Sequence, residues 1–243
     1  MGPANSDRAN PQSKLVVWPA PDSPVSLVPW AREVAALARA QASPTPFPVV
    51  PWRGEGRPVL SVPGFFSPDL ATARLREFLN ANDFCAYSWD LGVNIGPTRT
   101  ILQGLEDRLA DIAEKHGEAP VLIGQSLGGM LARYVAARRP DLVSHLVTMV
   151  SPIHLPVPTP LAPFAKAASL VWDDETYLVL DKIADAPPMK LTAIVSRRDG
   201  LVDWRSCVPK PAPNVEVLYI DGAHTTIGSN PEVQRALAER LAR

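Results

Sequence analysis

A serine set between two glycines is the residue of this chain best placed to do chemistry. Gly124-Gln125-Ser126-Leu127-Gly128 reads G-x-S-x-G. It directly follows the apolar run Val121-Leu122-Ile123 and directly precedes a helical pattern over Leu127–Arg138. Strand, tight turn and helix together lift a serine hydroxyl clear of a sheet and offer it as a nucleophile. The turn needs residues without a Cβ two places to either side, because the incoming helix folds back close over the strand. The helix N-terminus also points partial positive charge at the same spot, which favours a developing anion. The chemistry these residues suit is acyl transfer through a covalent serine intermediate.

A serine hydroxyl is a weak nucleophile and needs a base. The chain has 4 histidines. His116 ends a helical pattern beside Gly117, where a cation is favourable in its own right. His145 stands before a strand, away from the carboxyl ends at which parallel sheets build their sites. That leaves His154 and His224. The order serine, acid, histidine that goes with this motif selects His224, in Asp221-Gly222-Ala223-His224, and leaves His154 as a lid-hinge or pocket-lining residue. The acid belongs after the fifth strand, in Ser196-Arg197-Arg198-Asp199-Gly200-Leu201-Val202-Asp203. Asp199 and Asp203 both qualify. Asp199 is favoured because Gly200 lets the chain turn sharply behind it, whereas Asp203 suits the cap of a helix starting at Trp204. Donors for the oxyanion are expected from the N–H of Leu127 and, in the loop Val62-Pro63-Gly64-Phe65-Phe66, from the N–H of Phe65.

These side chains need a frame to bring them together. Short apolar runs bounded by turn residues read as six strands: Pro58–Val62, Phe84–Ser88, Pro120–Ile123, Leu146–Val150, Leu191–Val195 and Val215–Ile220. Helical spacing predicts helices over Val28–Ala42 (with Trp30, Val34, Leu37 and Ala38 in step), from Ser67-Pro68 as N-cap and first-turn proline, over Thr98–His116, over Leu127–Arg138, and from Asn230-Pro231 to Leu241. Strands alternating with helices imply an α/β fold, a mostly parallel central sheet covered on both faces. Residues 1–57 read as a proline-rich lead-in with one helix, and 58–243 as the main domain. The 40 residues of Ser151–Lys190 are far too many for a strand connection and read as a small helical lid.

The chain has 243 residues, a net charge of −1, 27 prolines and 2 cysteines. One domain of this size buries a full core unaided. A charge near zero excludes the counterion-displacing surface of a nucleic-acid binder. Two cysteines make neither a disulfide scaffold nor a zinc cage. Cys85 is expected in a strand, and Cys207 near the acid loop. The polar start at Met1–Pro11 lacks the apolar stretch of a secretory signal, and no run is long enough to span a bilayer. A soluble, cytoplasmic protein without a stable membrane anchor is expected.

With Pro63–Phe66, Gly124–Gly129, Ser196–Asp203 and Asp221–His224 in this order, each after a strand, the chain resembles the α/β-hydrolases, and within them the bacterial lipase/esterase-like serine hydrolases. The resemblance covers about Pro58 to Leu241. Pro63 stands where many members have histidine, which alters the loop's support but not its backbone donor. It implies an eight-stranded core, for which Lys14–Trp18 and Pro48–Trp52 are the candidates to supply the missing strands. It also implies a carboxylester hydrolase with Ser126, Asp199 and His224 as its triad, no metal or organic cofactor, and a small hydrophobic ester as substrate. Acyltransfer, thioester cleavage or a non-catalytic receptor role are the alternatives on the same fold. Phe65 and Phe66, the lid residues Leu155, Val157, Leu161, Phe164, Leu170, Val171 and Trp172, and Trp204 past the acid are expected to line an apolar pocket. His154 is expected to hinge the lid or line the pocket, and Asn94, toward the site edge, either donates to substrate or shapes a turn.

Overall fold

Each of the six apolar runs pairs into one sheet. The computed structural model describes residues 27–154, 159, 161, 183 and 185–243. Its strands are β1 (Pro58–Val62), β2 (Cys85–Ser88), β3 (Val121–Gln125), β4 (His145–Met149), β5 (Lys190–Val195) and β6 (Val215–Tyr219). All pair parallel, in the order β2-β1-β3-β4-β5-β6. The chain therefore leaves β1 in one direction to make β2 and returns across β1 to make β3. The crevice beyond the carboxyl ends of β1 and β3 is the switch point where open parallel sheets place their sites.

Alternation across the sheet sorts the core into two layers. Leu60 and Val62 of β1 join Leu122 and Leu146 under helices α3 (Arg99–His116) and α4 (Leu127–Arg138). Val59 joins Val121, Ile123 and Val147 under α2 (Ala73–Asn80) and α5 (Pro231–Leu241), through Leu75, Phe78, Leu237 and Leu241. The helices stop and start where their chemistry dictates. Thr98 Oγ1 accepts the Ile101 N–H at 3.2 Å, Asn230 Oδ1 accepts the Glu232 N–H at 2.8 Å, and Gly117 closes α3 at φ 67°.

Two expectations are corrected. Pro48–Trp52 is not a strand: Val50 is buried and Val49 is exposed, but Pro48 and Pro51 leave too few N–H groups for a ladder. Six strands are present among the described residues, and Lys14–Trp18 lies outside them. Ser67 does not cap α2. The chain enters α2 through a 3-10 turn, Asp69–Thr72, because its backbone is already committed to the preceding loop, where the Ser67 carbonyl accepts from Asn94 N–H at 3.1 Å. Helix α1 (Leu27–Ala42) forms where the spacing predicts it; its apolar stripe of Trp30, Val34 and Leu37 is exposed, and its buried residue among those described is Glu33. Most of the expected lid, including Leu155, Val157, Phe164, Leu170, Val171 and Trp172, lies outside the described residues. No described helix is long and apolar enough to cross a membrane.

His145, at the start of β4, has a consequence for stability. It is 2% exposed and its Nε2 meets Thr192 Oγ1 at 3.0 Å. Burial, followed by the nearby Lys190 and Arg57 charges, lowers its pKa to about 4. The folded protein thus keeps a neutral imidazole where the unfolded chain, titrating near 6.5, takes up a proton. Stability from this site is fully present above that unfolded value and is lost as pH falls toward 4. Between pH 7 and pH 5 it should cost about 2 kcal/mol, from the one-proton linkage relation. Urea unfolding at the two pH values should show that loss, and His145→Gln should remove it.

Candidate active site

The turn that carries Ser126 is strained, and the strain sets the direction of its side chain. Ser126 has φ 53° and ψ −124°, a backbone conformation costly to any residue with a Cβ. It is held there by its N–H, donated to the Met149 carbonyl at 2.8 Å, and by Ser151 Oγ, donated to its carbonyl at 2.5 Å. The glycines are required by close approach. A Cβ on Gly124 would stand 2.4 Å from the Gly128 carbonyl oxygen, and one on Gly128 would stand 2.4 Å from the Pro63 carbonyl oxygen. Gly128 thus lets α4 press against the loop after β1. Gly128→Ala should force two backbones apart and cost about 2–3 kcal/mol of stability, measured by urea denaturation.

That loop faces the serine. A Cβ on Gly64 would lie 3.4 Å from the Ser126 Cβ. Among the described residues the N–H groups of Phe65 and Leu127 meet no protein acceptor, whereas the next one, on Phe66, is donated to the Asn94 carbonyl at 2.8 Å. Of the two roles open to Asn94, the structure supports shaping a turn over donating to substrate. The residue's Nδ2 donates to the Pro63 carbonyl at 2.7 Å and its Oδ1 accepts from the Gly96 N–H at 3.1 Å. Fully buried, with both amide atoms engaged by backbone, it shapes the loop and does not line the cavity.

Asp199 and His224 meet from the loops after β5 and β6. His224 Nδ1–H donates to Asp199 Oδ2 at 2.6 Å, and both side chains are buried. Asp199 Oδ1 accepts the N–H groups of Leu201 and Val202 at 2.8 Å each, so the carboxylate cannot rotate freely. Asp203 points away from the histidine. Its Oδ1 accepts the Arg205 N–H at 3.0 Å and caps the 3-10 turn Trp204–Cys207. No hydrogen bond joins Ser126 and His224 among the described residues. Both line one cavity, and such contacts are commonly long until a substrate is seated.

The cavity is about 520 Å³, within the usual range for small ligands. Its walls include Leu37, Gly64, Phe65, Phe66, Leu70, Leu75, Leu161 and Leu201 beside Ser126 and His224. Phe66 stands at its mouth, half exposed, at φ 52°. Two expected lining residues are elsewhere. Trp204 packs edge-on to Tyr219, with the Arg197 and Arg205 guanidiniums over its ring, because the Asp203-capped turn carries it to the far side of the acid loop. His154 is exposed, and its Nε2 lies 3.0 Å from the Val208 carbonyl. Trp172 lies outside the described residues. Burial pushes the Cys207 thiol well above its ordinary range, which removes it as a nucleophile.

Two contacts escaped the sequence reading. Gln125 Nε2 donates to the His224 carbonyl at 2.9 Å, so the residue before the serine anchors the histidine turn. Glu33 of α1 receives the His224 N–H at 2.8 Å. The first had a signal, a long amide inside the G-x-S-x-G motif. The second had none beyond being the single acidic residue of its helix.

A family model described as the alpha/beta hydrolase fold matches residues 94–192. The monoacylglycerol lipase of Paleococcus ferrophilus is similar at TM-score 0.54 and 18% identity, over 78% of this chain and 95% of that one. Aspergillus fumigatus lipase B is similar at TM-score 0.62 and 16% identity, over 81% of this chain and 55% of that one. Naproxen esterase from Bacillus subtilis reaches TM-score 0.50 at 13% identity, over 90% of this chain and 99% of that one. No curated protein matches the sequence. At these identities the likeness is one of fold.

Proposed function

We propose that this chain, which has the α/β-hydrolase fold, is a serine carboxylester hydrolase that cleaves hydrophobic acyl esters through an acyl-enzyme on Ser126. The observation that carries this reading is the buried Asp199–His224 hydrogen bond of 2.6 Å, on the same cavity as a serine held at φ 53°. A strained nucleophile and an oriented base on one apolar cavity are the parts that acyl transfer needs.

In this reading His224 Nε2 takes the Ser126 proton as Oγ attacks the ester carbonyl. Asp199 keeps the imidazole in the tautomer that leaves Nε2 free to accept, and stabilises the imidazolium that results. The N–H groups of Phe65 and Leu127, which meet no acceptor among the described residues, receive the oxyanion. His224 returns the proton to the leaving alcohol. Water then repeats the sequence on the acyl-enzyme and restores the serine. Leu37, Phe66, Leu70 and Leu75 favour an apolar acyl or alcohol group over a charged one.

The test is direct. The protein should hydrolyse a short p-nitrophenyl ester, and an organophosphonate probe should modify Ser126, identified by peptide mass spectrometry. Failure of both sinks the reading. A chain-length series of esters would then define the substrate.

A further inference from the structure

Helix α1 meets the candidate site through a carboxylate and not through its apolar stripe. Glu33 is 2% exposed. Its Oε1 accepts the backbone N–H of Gly200 at 2.9 Å and that of His224 at 2.8 Å. Its Oε2 accepts the backbone N–H of Thr225 at 3.0 Å and the Thr225 hydroxyl at 3.0 Å. Gly200 follows the acid and His224 is the base. One side chain, 167 and 191 residues away in sequence, therefore ties together the two loops that carry the pair. The fit is close: a Cβ on Gly200 would stand 2.7 Å from the Pro29 carbonyl oxygen and 2.8 Å from Glu33 Cγ. Gly200 is thus the notch into which α1 is seated.

We infer that Glu33 is a positioning residue for the Asp199–His224 pair, which makes α1 part of the reaction centre. The inference rests on the proposed ester hydrolysis only for its rate readout. Gly200 lies in a loop beyond β5, and His224 and Thr225 open a 3-10 turn (His224–Ser229) beyond β6, where no ladder or earlier turn fixes their N–H groups. Glu33 supplies the acceptors, so the donors hold their direction and the imidazole holds its place over the cavity. Glu33→Gln keeps the shape and replaces one acceptor oxygen by an amide donor, which meets N–H groups head-on.

The experiment compares Glu33→Gln with wild type in three measurements: melting temperature, kcat and KM on a p-nitrophenyl ester, and the downfield proton resonance of the Asp199–His224 hydrogen bond. The expected result is a folded variant with kcat lower by about 10–100-fold, KM changed by less than about threefold, and the resonance displaced or lost. His145→Gln, destabilised away from the site, should keep both kcat and the resonance at pH 7. If kcat of folded Glu33→Gln stays within about twofold of wild type and the resonance does not move, the inference is overturned. Should Glu33→Gln fail to fold, Thr225→Val decides. That variant removes one donor alone, and kcat should fall by about 3–10-fold with a displaced resonance; no change in either overturns the inference. Because the resonance needs no turnover, a wild type that cleaves no ester would sink the function and leave the positioning role to be read from the spectrum.

Discussion

Ester hydrolysis is expected to fall by about 10⁴–10⁶-fold in Ser126→Ala, with folding intact. The size of the effect follows from the role. Removing Oγ removes the atom that forms the acyl-enzyme, and the residual rate comes only from bound water, the oxyanion donors and substrate orientation. The fold should survive because the elbow is held by backbone groups. The Ser126 N–H on the Met149 carbonyl and the Ser151 hydroxyl on the Ser126 carbonyl are both kept by alanine. Alanine also suffers the φ of 53° no more than serine does. Equal melting temperatures with a collapsed kcat, and no labelling by organophosphonate, is the predicted pattern. A variant with a tenth or more of the wild-type rate would assign the nucleophile elsewhere.

The second large effect is expected at the acid. Asp199→Asn should lower kcat by about 10⁴-fold, while Asp203→Asn should leave it within about twofold. Asp199 Oδ1 is pinned by the N–H groups of Leu201 and Val202. In the Asp199→Asn variant those donors hold the carbonyl oxygen of the new amide, which turns its NH2 toward His224 Nδ1. The imidazole then accepts at Nδ1 and carries its proton on Nε2, where it cannot receive one from Ser126. At 203 the side chain caps a 3-10 turn, and asparagine caps as well as aspartate. Rates of the two variants on one ester settle the assignment; a larger loss at 203 would reverse it.

Much of this arrangement is legible in the sequence because it is local. The six strands are continuous apolar runs, and the helices announce their ends through Thr98, Gly117 and Asn230. Gly124 and Gly128 flank Ser126 because a tight turn tolerates nothing larger, a constraint written within five residues. Chain order then brought forward His224 and favoured Asp199. The misreading of Trp204 has a physical cause. Trp204 lies close in sequence to Asp199, yet its side chain turns to Tyr219. Proximity along the chain does not set direction. On α1 the apolar periodicity does not mark the buried face: the exposed stripe includes Leu37 on the cavity wall, and the buried contact is a glutamate.

From its residues alone this polypeptide determined its strands, its elbow and the kinds of group that meet there, since backbone sterics and hydrophobic periodicity act over a few residues. The tertiary structure decided which aspartate faces the histidine, what holds each loop still, and that a helix far from every motif reaches the centre. Those outcomes depend on hydrogen bonds between segments up to 192 residues apart, and such bonds are chosen by how elements pack and leave no mark on local sequence.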